Sequence, residues 1–238
     1  MENIFSKLSK LNKDIASKLL STTDDKDIMA TIEKMYDNMF DSFEMELNSP
    51  FNIQCPAIST TNNNYIKHIT INDLNKGDII VALRIGFLYL HYGVYVGDGY
   101  MVHFSYRKGE KMCNTRIIKT SYEEFANGST TYREPLRDNM KPNSSEEIAR
   151  IAESYIGENF GKYNLFRNNC EHFANYCRYN KKVSYQIEEF WNPSGKPPIA
   201  QRLFMVDKFS NQNPYTVLEY ITNSIIIPRK YEKITVES

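Results

Sequence analysis

Three residues of this chain carry the side chains that nucleophilic catalysis by a thiol requires. Cys170 follows two asparagines in the segment FRNNCEHFANYCRYN (166–180), and His91 and His103 stand at the two ends of HYGVYVGDGYMVH. A thiol, an imidazole that takes its proton and a further polar group that holds the imidazole form the general arrangement for acyl transfer. The question is whether the fold brings these three together.

Other roles for the same residues have to be weighed. A free cysteine is among the most commonly buried residues, so Cys170 as an inert core thiol is one alternative. A histidine taken alone is more often a polar residue on a half-exposed strand. Two histidines and a cysteine are also three ligands of the kind that zinc takes, but no fourth ligand stands at characteristic spacing, so no metal site is predicted.

The cysteine segment is predicted to be a helix with its thiol at the start. If Asn168 or Asn169 caps the helix, Cys170 lies in the first turn, where unpaired backbone N–H groups and the helix dipole favour a thiolate. Position alone therefore predicts a lowered pKa for this thiol. Phe173 and Cys177 share its helix face, which aims Cys170 inward and predicts that Cys177 is a core residue.

The histidine segment is predicted to be a β-hairpin around Gly97–Asp98–Gly99, and the parity of its loop decides whether the histidines cooperate. A two-residue loop would place the imidazoles on opposite faces of the sheet. A three-residue loop, with its last glycine in the left-handed position of a bulge, places His103 opposite Gly93 and His91 opposite Ser105. The two imidazoles are then diagonal neighbours on one face, roughly 7 Å apart at their backbones. We predict this second register.

Composition and charge exclude several classes of protein. The 238 residues include 29 acidic and 29 basic side chains, so net charge gives no general attraction to nucleic acid, and no nucleic-acid partner is predicted. The four cysteines lack the density of a disulfide scaffold, and neither a signal peptide nor a transmembrane segment is seen. A cytoplasmic protein with free thiols is the expectation.

The remaining sequence divides into three parts. Residues 1–50 are predicted to be a helical N-terminal extension, in which residues 4–20 form a basic amphipathic helix that either packs on the protein or makes a peripheral membrane contact. Residues 66–190 form the main domain, whose first half is rich in β-branched and aromatic residues and predicts an antiparallel sheet. A helix capped by Ser144 or Ser145 follows and ends near Gly157. Residues 191–238 are predicted to be a C-terminal linker and tail.

Three segments together resemble the lecithin:retinol acyltransferase family, within the permuted papain-like (NlpC-type) superfamily. They are KGDII (76–80), HYGVYVGDGYMVH (91–103) and NNCEHFANYCRY (168–179). The resemblance covers about residues 70–183 and includes the order of the two histidines and the cysteine. It implies an α+β, permuted papain-like fold in which a small antiparallel sheet packs against helices.

The resemblance also implies roles for single residues. Cys170 is the nucleophile, His91 its general base, His103 the third, orienting member, and Tyr89 contributes on the oxyanion side. The implied reaction is acyl transfer or phospholipase A activity on glycerophospholipids through a thioester acyl-enzyme, with a phospholipid as acyl donor and water, an alcohol or an amine as acceptor. No cofactor is implied.

Two further hypotheses stay open at the level of sequence. One is a cysteine amidase or peptidase, since the same superfamily includes enzymes that cut peptides. A peptide groove would be more polar than an acyl-chain site, so turnover of peptides without lipid would distinguish them. The other is a binding module that kept the fold and lost catalysis, which the reactivity of the cysteine would distinguish.

Overall fold

The computed structural model of the chain describes residues 66–84, 89–107, 110, 114–158, 160–164, 167–185 and 230–235. These residues belong to one of the two compact units into which the chain divides, which comprises Asn52–Tyr185 and Glu219–Ser238. The predicted N-terminal extension (1–50) lies outside the described residues, as does most of the predicted linker and tail (191–238).

Seven strands of the described residues form one sheet, in the order β1-β7-β6-β2-β3-β4-β5. The strands are β1 (His68–Thr70), β2 (Ile79–Arg84), β3 (Tyr89–Gly97), β4 (Tyr100–Ser105), β5 (Arg116–Ser121), β6 (Thr131–Arg133) and β7 (Glu232–Thr235). The β1–β7 pair is parallel and the other neighbouring pairs are antiparallel. The sheet is therefore larger than predicted, and it is mixed where a wholly antiparallel sheet was expected.

The described part of the chain also contains three α-helices: α1 (Tyr122–Ala126), α2 (Ser145–Ser154) and α3 (Cys170–Tyr179). Ser144 caps α2, since its side chain accepts a hydrogen bond from Glu147 N. Asn169 caps α3, and Asn180, which follows the last residue of this helix, is in the left-handed conformation. Helices and a sheet in one unit confirm the predicted α+β class.

A strand from the C-terminal region lies inside the sheet. β7 falls in the segment that was predicted to be linker and tail, yet it pairs with β1 on one side and β6 on the other. Glu232, the first residue of β7, accepts from Arg133 Nε at 2.6 Å and from Lys67 Nζ at 2.7 Å. These residues tie the two ends of the described chain together.

The central strands are covered on both faces. Phe125 of α1 packs on the face that carries His91 and His103. On the opposite face, Phe104 of β4 contacts Phe160, which contacts Phe173 of α3. The two histidines therefore lie in the interior, with exposed fractions of 7% and 5%, and not on the half-exposed strand of the simplest alternative.

A buried polar network joins the C-terminal segment to β3 and α3. Tyr231, next to β7, donates from its hydroxyl to Glu134 Oε1 (3.2 Å) and lies 3.1 Å from the Tyr92 hydroxyl. The other oxygen of Glu134 accepts from Arg178 Nη1 of α3 at 3.2 Å. The carboxylate and the guanidinium are both buried, so each needs the other to offset the loss of water. This network fixes α3 against the strand that carries His91.

Candidate active site

The β3–β4 hairpin brings the two histidines to one face of the sheet. Gly93 pairs with His103, as predicted. The loop differs from the prediction: Gly97 pairs with Tyr100 across a two-residue turn, and the extra residue is Val96, a bulge inside β3. Both turn residues have positive φ, which type I′ turns require. A bulge at either place adds one unpaired residue, so the facing of the histidines is the same.

The two imidazoles are in direct contact. His91 Nε2 lies 2.8 Å from His103 Nδ1, and the rings meet edge to face with centroids 5.1 Å apart. Both rings also pack on Phe125, at 5.3 Å and 5.2 Å. Burial against an aromatic ring removes water from this bond, so the pair acts as one unit in a medium of low polarity.

Gly93 makes room for that aromatic ring. The space that this glycine leaves on the histidine face is occupied by Phe125. A Cβ atom at position 93 would lie 2.7 Å from Phe125 Cε2 and 3.0 Å from Met101 Cε. The absence of a side chain at Gly93 is therefore what allows Phe125 to lie against both histidines.

Thr120 extends the histidine pair and was missed by sequence reasoning. Its Oγ1 lies 3.0 Å from His103 Nε2, and the side chain is buried. Thr120 pairs with Met101 in the β4–β5 ladder, which sets it diagonally from His103 on the same face. Both ring nitrogens of His103 are thus engaged, one by His91 and one by Thr120.

Cys170 meets the sheet where β3 and β4 separate. The β3–β4 pairs end at Gly93–His103, so the predicted pairing of His91 with Ser105 does not form. Beyond that point the Cys170 sulfur is hydrogen-bonded to the backbone of Tyr92, the neighbour of His91. This bond lowers the pKa of the thiol, so the backbone N–H is the donor, and strand N–H groups lie in the plane of the sheet. The first residue of α3 therefore fills the opening between the two strands.

The state of the Cys170 thiol differs from the prediction. Burial raises the pKa of Cys170 to about 12, and the backbone hydrogen bond from Tyr92 offsets only part of this effect. The charge of Glu171 raises the pKa of the thiol as well. The backbone N–H groups of Glu171 and Cys170 at the helix start lower the pKa, as expected, but the loss of water outweighs them, so the predicted net lowering is wrong. At neutral pH the sulfur carries its proton and needs a base to give it up.

Asn169 and His172 hold the start of the helix in place. The Asn169 side chain accepts from the backbone N–H groups of Glu171 (2.9 Å) and His172 (3.1 Å). His172 Nδ1 lies 2.9 Å from Asn169 Oδ1, to which it donates when it carries the proton, and 3.2 Å from Asn169 N, from which it accepts when it is bare. Burial lowers the pKa of His172 to about 4, so this imidazole is neutral. The third histidine of the region is thus a capping residue.

Glu171 anchors the chain that follows α3. Its carboxylate is fully buried and accepts from Ser184 Oγ at 2.5 Å and from Tyr185 N at 3.0 Å. A buried carboxylate satisfied by a hydroxyl and a backbone N–H is a structural anchor next to the sulfur. Cys177, about two turns further along the same face of α3, is fully buried, as predicted.

One predicted site residue lies at the limit of the described structure. The side chain of Tyr89 lies outside what the structure describes, although its backbone belongs to β3, so its role on the oxyanion side stays a prediction. Among the described residues, no three side chains of the metal-binding types converge to hold an ion, and no helix there has the length and apolar character needed to cross a bilayer.

Comparison with known proteins identifies relatives of this chain. A sequence profile described as lecithin retinol acyltransferase matches residues 72–183, which contain both histidines and Cys170. Lecithin retinol acyltransferase of Rattus norvegicus is 32% identical over 144 residues, or 50% of this chain and 61% of the rat protein. The chain thus spans about three fifths of that relative.

A second group of relatives is matched over more of its length. Phospholipase A and acyltransferase 2 of Homo sapiens is 32% identical over 123 residues, which are 47% of this chain and 74% of the human protein. Phospholipase A and acyltransferase 4 of Homo sapiens is 30% identical over 125 residues, 48% of this chain and 74% of that protein. The named relatives are acyltransferases and phospholipases, and the predicted resemblance is confirmed. This chain belongs to the lecithin retinol acyltransferase family.

Proposed function

We propose that this chain is a thiol-dependent acyltransferase or phospholipase A that acts on glycerophospholipids through a thioester acyl-enzyme. The observation that carries the proposal is the 2.8 Å contact between His91 Nε2 and His103 Nδ1, beside the strand backbone that binds the Cys170 sulfur. An inert core thiol would need no buried histidine pair. The relatives named as acyltransferases and phospholipases supply the reaction class. The permuted papain-like fold is part of the same proposal.

The first half of the reaction transfers an acyl group to sulfur. Cys170 Sγ attacks the carbonyl carbon of a phospholipid ester, and the thiol proton passes to His91. Since Nε2 of His91 is bonded to His103, Nδ1 is the nitrogen that takes the proton. When the tetrahedral intermediate collapses, the C–O bond breaks, the leaving alkoxide takes the proton from His91, and the thioester stays on Cys170.

The raised pKa of the thiol fits general-base catalysis. Burial holds the pKa of Cys170 at about 12, so a resting thiolate is scarce at neutral pH. Proton transfer therefore accompanies the attack on the ester, with His91 as the acceptor and His103 holding its ring. His103 is the orienting third member of the proposed site.

The helix start supplies a donor for the oxyanion. The backbone N–H groups of Glu171 and Cys170 both lower the pKa of the thiol, but that of Glu171 is already bonded to Asn169. The N–H of Cys170 is therefore the one that we assign to the oxygen that becomes negative next to Sγ. We assign the second donor to Tyr89, on the strength of the family resemblance.

The second half of the reaction sets the product. Water attacking the thioester gives a free fatty acid, and an alcohol or amine gives a transferred acyl group, with His91 taking the proton of the attacking group in each case. No step needs a cofactor. Because the acyl donor is a bilayer lipid, the enzyme acts at a membrane surface, and we assign the contact to the basic amphipathic helix predicted for residues 4–20.

Trapping the acyl-enzyme tests the proposal. The protein is incubated with phosphatidylcholine micelles, and intact mass and peptide mass spectrometry locate a fatty-acyl adduct. We expect the adduct on Cys170 in the wild type, no adduct in Cys170→Ala, and an unchanged adduct in Cys177→Ala, which removes the neighbouring buried thiol. His91→Gln should form none. Folded wild-type protein without an adduct, or an adduct that persists in Cys170→Ala, would refute the proposal; peptide turnover without lipid would favour the amidase hypothesis.

A further inference from the structure

The bond at the far side of His103 decides which atoms of the site carry protons. A neutral imidazole has one N–H donor and one bare nitrogen acceptor, so a partner that fixes the role of one nitrogen fixes the role of the other. His103 has its two nitrogens bound to His91 and to Thr120 Oγ1, at 2.8 Å and 3.0 Å. A threonine hydroxyl can donate or accept, so the role that Thr120 takes in this contact and the tautomer of His103 determine each other.

The same logic passes on to His91. If Thr120 accepts, His103 carries its proton on Nε2, and its Nδ1 accepts from His91. His91 then carries its proton on Nε2 and presents a bare Nδ1. If Thr120 donates instead, the direction of both hydrogen bonds reverses: His103 carries its proton on Nδ1 and donates to His91 Nε2, and His91 carries its proton on Nδ1. Only the first arrangement lets His91 take a proton at Nδ1.

We propose that Thr120 is a positioning residue that, by accepting from His103 Nε2, holds His91 in the tautomer able to accept the Cys170 proton. This inference rests on the proposed function. The buried thiol beside the Tyr92 backbone carries its own proton, so the arrangement of the site requires an acceptor and not a second donor there. Second partners of this kind typically change activity by about 10- to 100-fold when removed from ligating histidines, and we expect the same scale here.

The chain of bonds ends on a group that keeps its proton. A threonine hydroxyl neither gains nor loses charge in the working pH range, unlike a carboxylate in the same place. Thr120 orients the two rings without adding a negative charge that would draw a proton onto the histidine pair. Phe125 lies against both rings, and the Thr120 hydroxyl contacts His103 Nε2 at 3.0 Å.

Substitutions at position 120 and one matched control separate this role from a structural one. Thr120→Val keeps the shape and removes the acceptor, while Thr120→Ser keeps the hydroxyl. Thr131→Val is the control, because it removes a buried hydroxyl whose partner, at 2.5 Å, is the hydroxyl of Tyr122. Thermal unfolding checks that each variant is folded.

Ring-nitrogen NMR of protein with 15N-labelled histidine reads the tautomers without substrate. In the wild type we expect Nε2–H with bare Nδ1 for both His91 and His103. Thr120→Val should lose that state for His103 and lower kcat for acylation roughly 10- to 100-fold with little change in KM. Thr120→Ser should restore the wild-type tautomers and recover most of the lost kcat, whereas Thr131→Val should keep the wild-type signature and activity.

Two results would overturn the inference: a wild-type His103 protonated on Nδ1, or a folded Thr120→Val with wild-type tautomers. If Thr120→Val does not fold, the wild-type and Thr120→Ser spectra still decide the question. The expected tautomers together with a missing acyl-enzyme would instead remove the proposed function and leave the bond pattern standing.

Discussion

Replacing Gly93 by alanine tests how tightly the histidine pair is enclosed. The new Cβ would meet Phe125 Cε2 at 2.7 Å, Phe125 Cδ2 at 3.2 Å and Met101 Cε at 3.0 Å. The terminal methyl of Met101 can move, because methionine has several rotatable bonds. Phe125 is fully buried and packs on both imidazoles, so it cannot retreat without moving them.

The expected cost follows from two opposing effects. Forcing an extra carbon into a packed core typically costs about 1–3 kcal/mol. Alanine also restricts the unfolded chain more than glycine does, which returns roughly 0.4–1 kcal/mol. The net loss of unfolding free energy should be about 1–2 kcal/mol, equivalent to a fall in Tm of roughly 2–8 °C for a domain of this size.

Urea and thermal denaturation measure this loss, and a double-mutant cycle assigns its cause. Phe125→Leu shortens the ring that the new carbon meets, so Gly93→Ala should cost less in that background than in the wild type, by about 1 kcal/mol. Acylation should slow in Gly93→Ala and recover in part in the double variant. A Gly93→Ala protein at least as stable as the wild type, or strictly additive effects in the cycle, would show that the reasoning about Phe125 is wrong.

Three further perturbations have defined outcomes. Burial raises the pKa of Cys177 and of Cys170 in the folded state, so the folded protein keeps thiol protons that the unfolded chain loses above about pH 9. The unfolding free energy should therefore fall between pH 8 and pH 10, and Cys177→Ala should remove roughly 1–2 kcal/mol of that fall in urea titrations. An equal fall in the variant would count against this role of the Cys177 thiol. Arg178→Met removes the buried cation that pairs with Glu134 and leaves this carboxylate with the longer contact to part-exposed Arg137 (3.6 Å), so it should cost about 3–5 kcal/mol in equilibrium unfolding. A loss under about 1 kcal/mol would mean that the Glu134–Arg178 pair contributes little. Asn169→Ala removes the cap of α3, so the unfolding free energy should fall by about 0.5–2 kcal/mol and acylation should slow. Unchanged acylation kinetics in a folded variant would argue against a role for this cap in placing the sulfur.

The sequence predicted the parts of the site that depend on local periodicity. The facing of His91 and His103 follows from the two-residue period of a strand plus one extra residue, and that parity is readable from the hairpin alone. The position of the extra residue cannot be predicted in this way, because a bulge at Val96 and a bulge at Gly99 place the two histidines on the same face. Asn169 as a cap was likewise one of the two local choices that the sequence offered.

The parts that escaped prediction depend on distant segments. Thr120 reaches His103 through the β4–β5 register, and the connection between those strands is too long for its sequence to fix that register. The pKa of Cys170 depends on burial, which helix position does not report. Phe125 fills the space beside Gly93 from a short helix that no periodicity pointed to.

Strand β7 has a consequence for how this protein is made. Its partner Arg133 on β6 is synthesised 99 residues before Glu232. Until β7 leaves the ribosome, β1 and β6 present unpaired backbone edges, which are templates for association between chains. A chain that stops ahead of Tyr231 would therefore keep these open edges and would lack the hydroxyl that donates to Glu134.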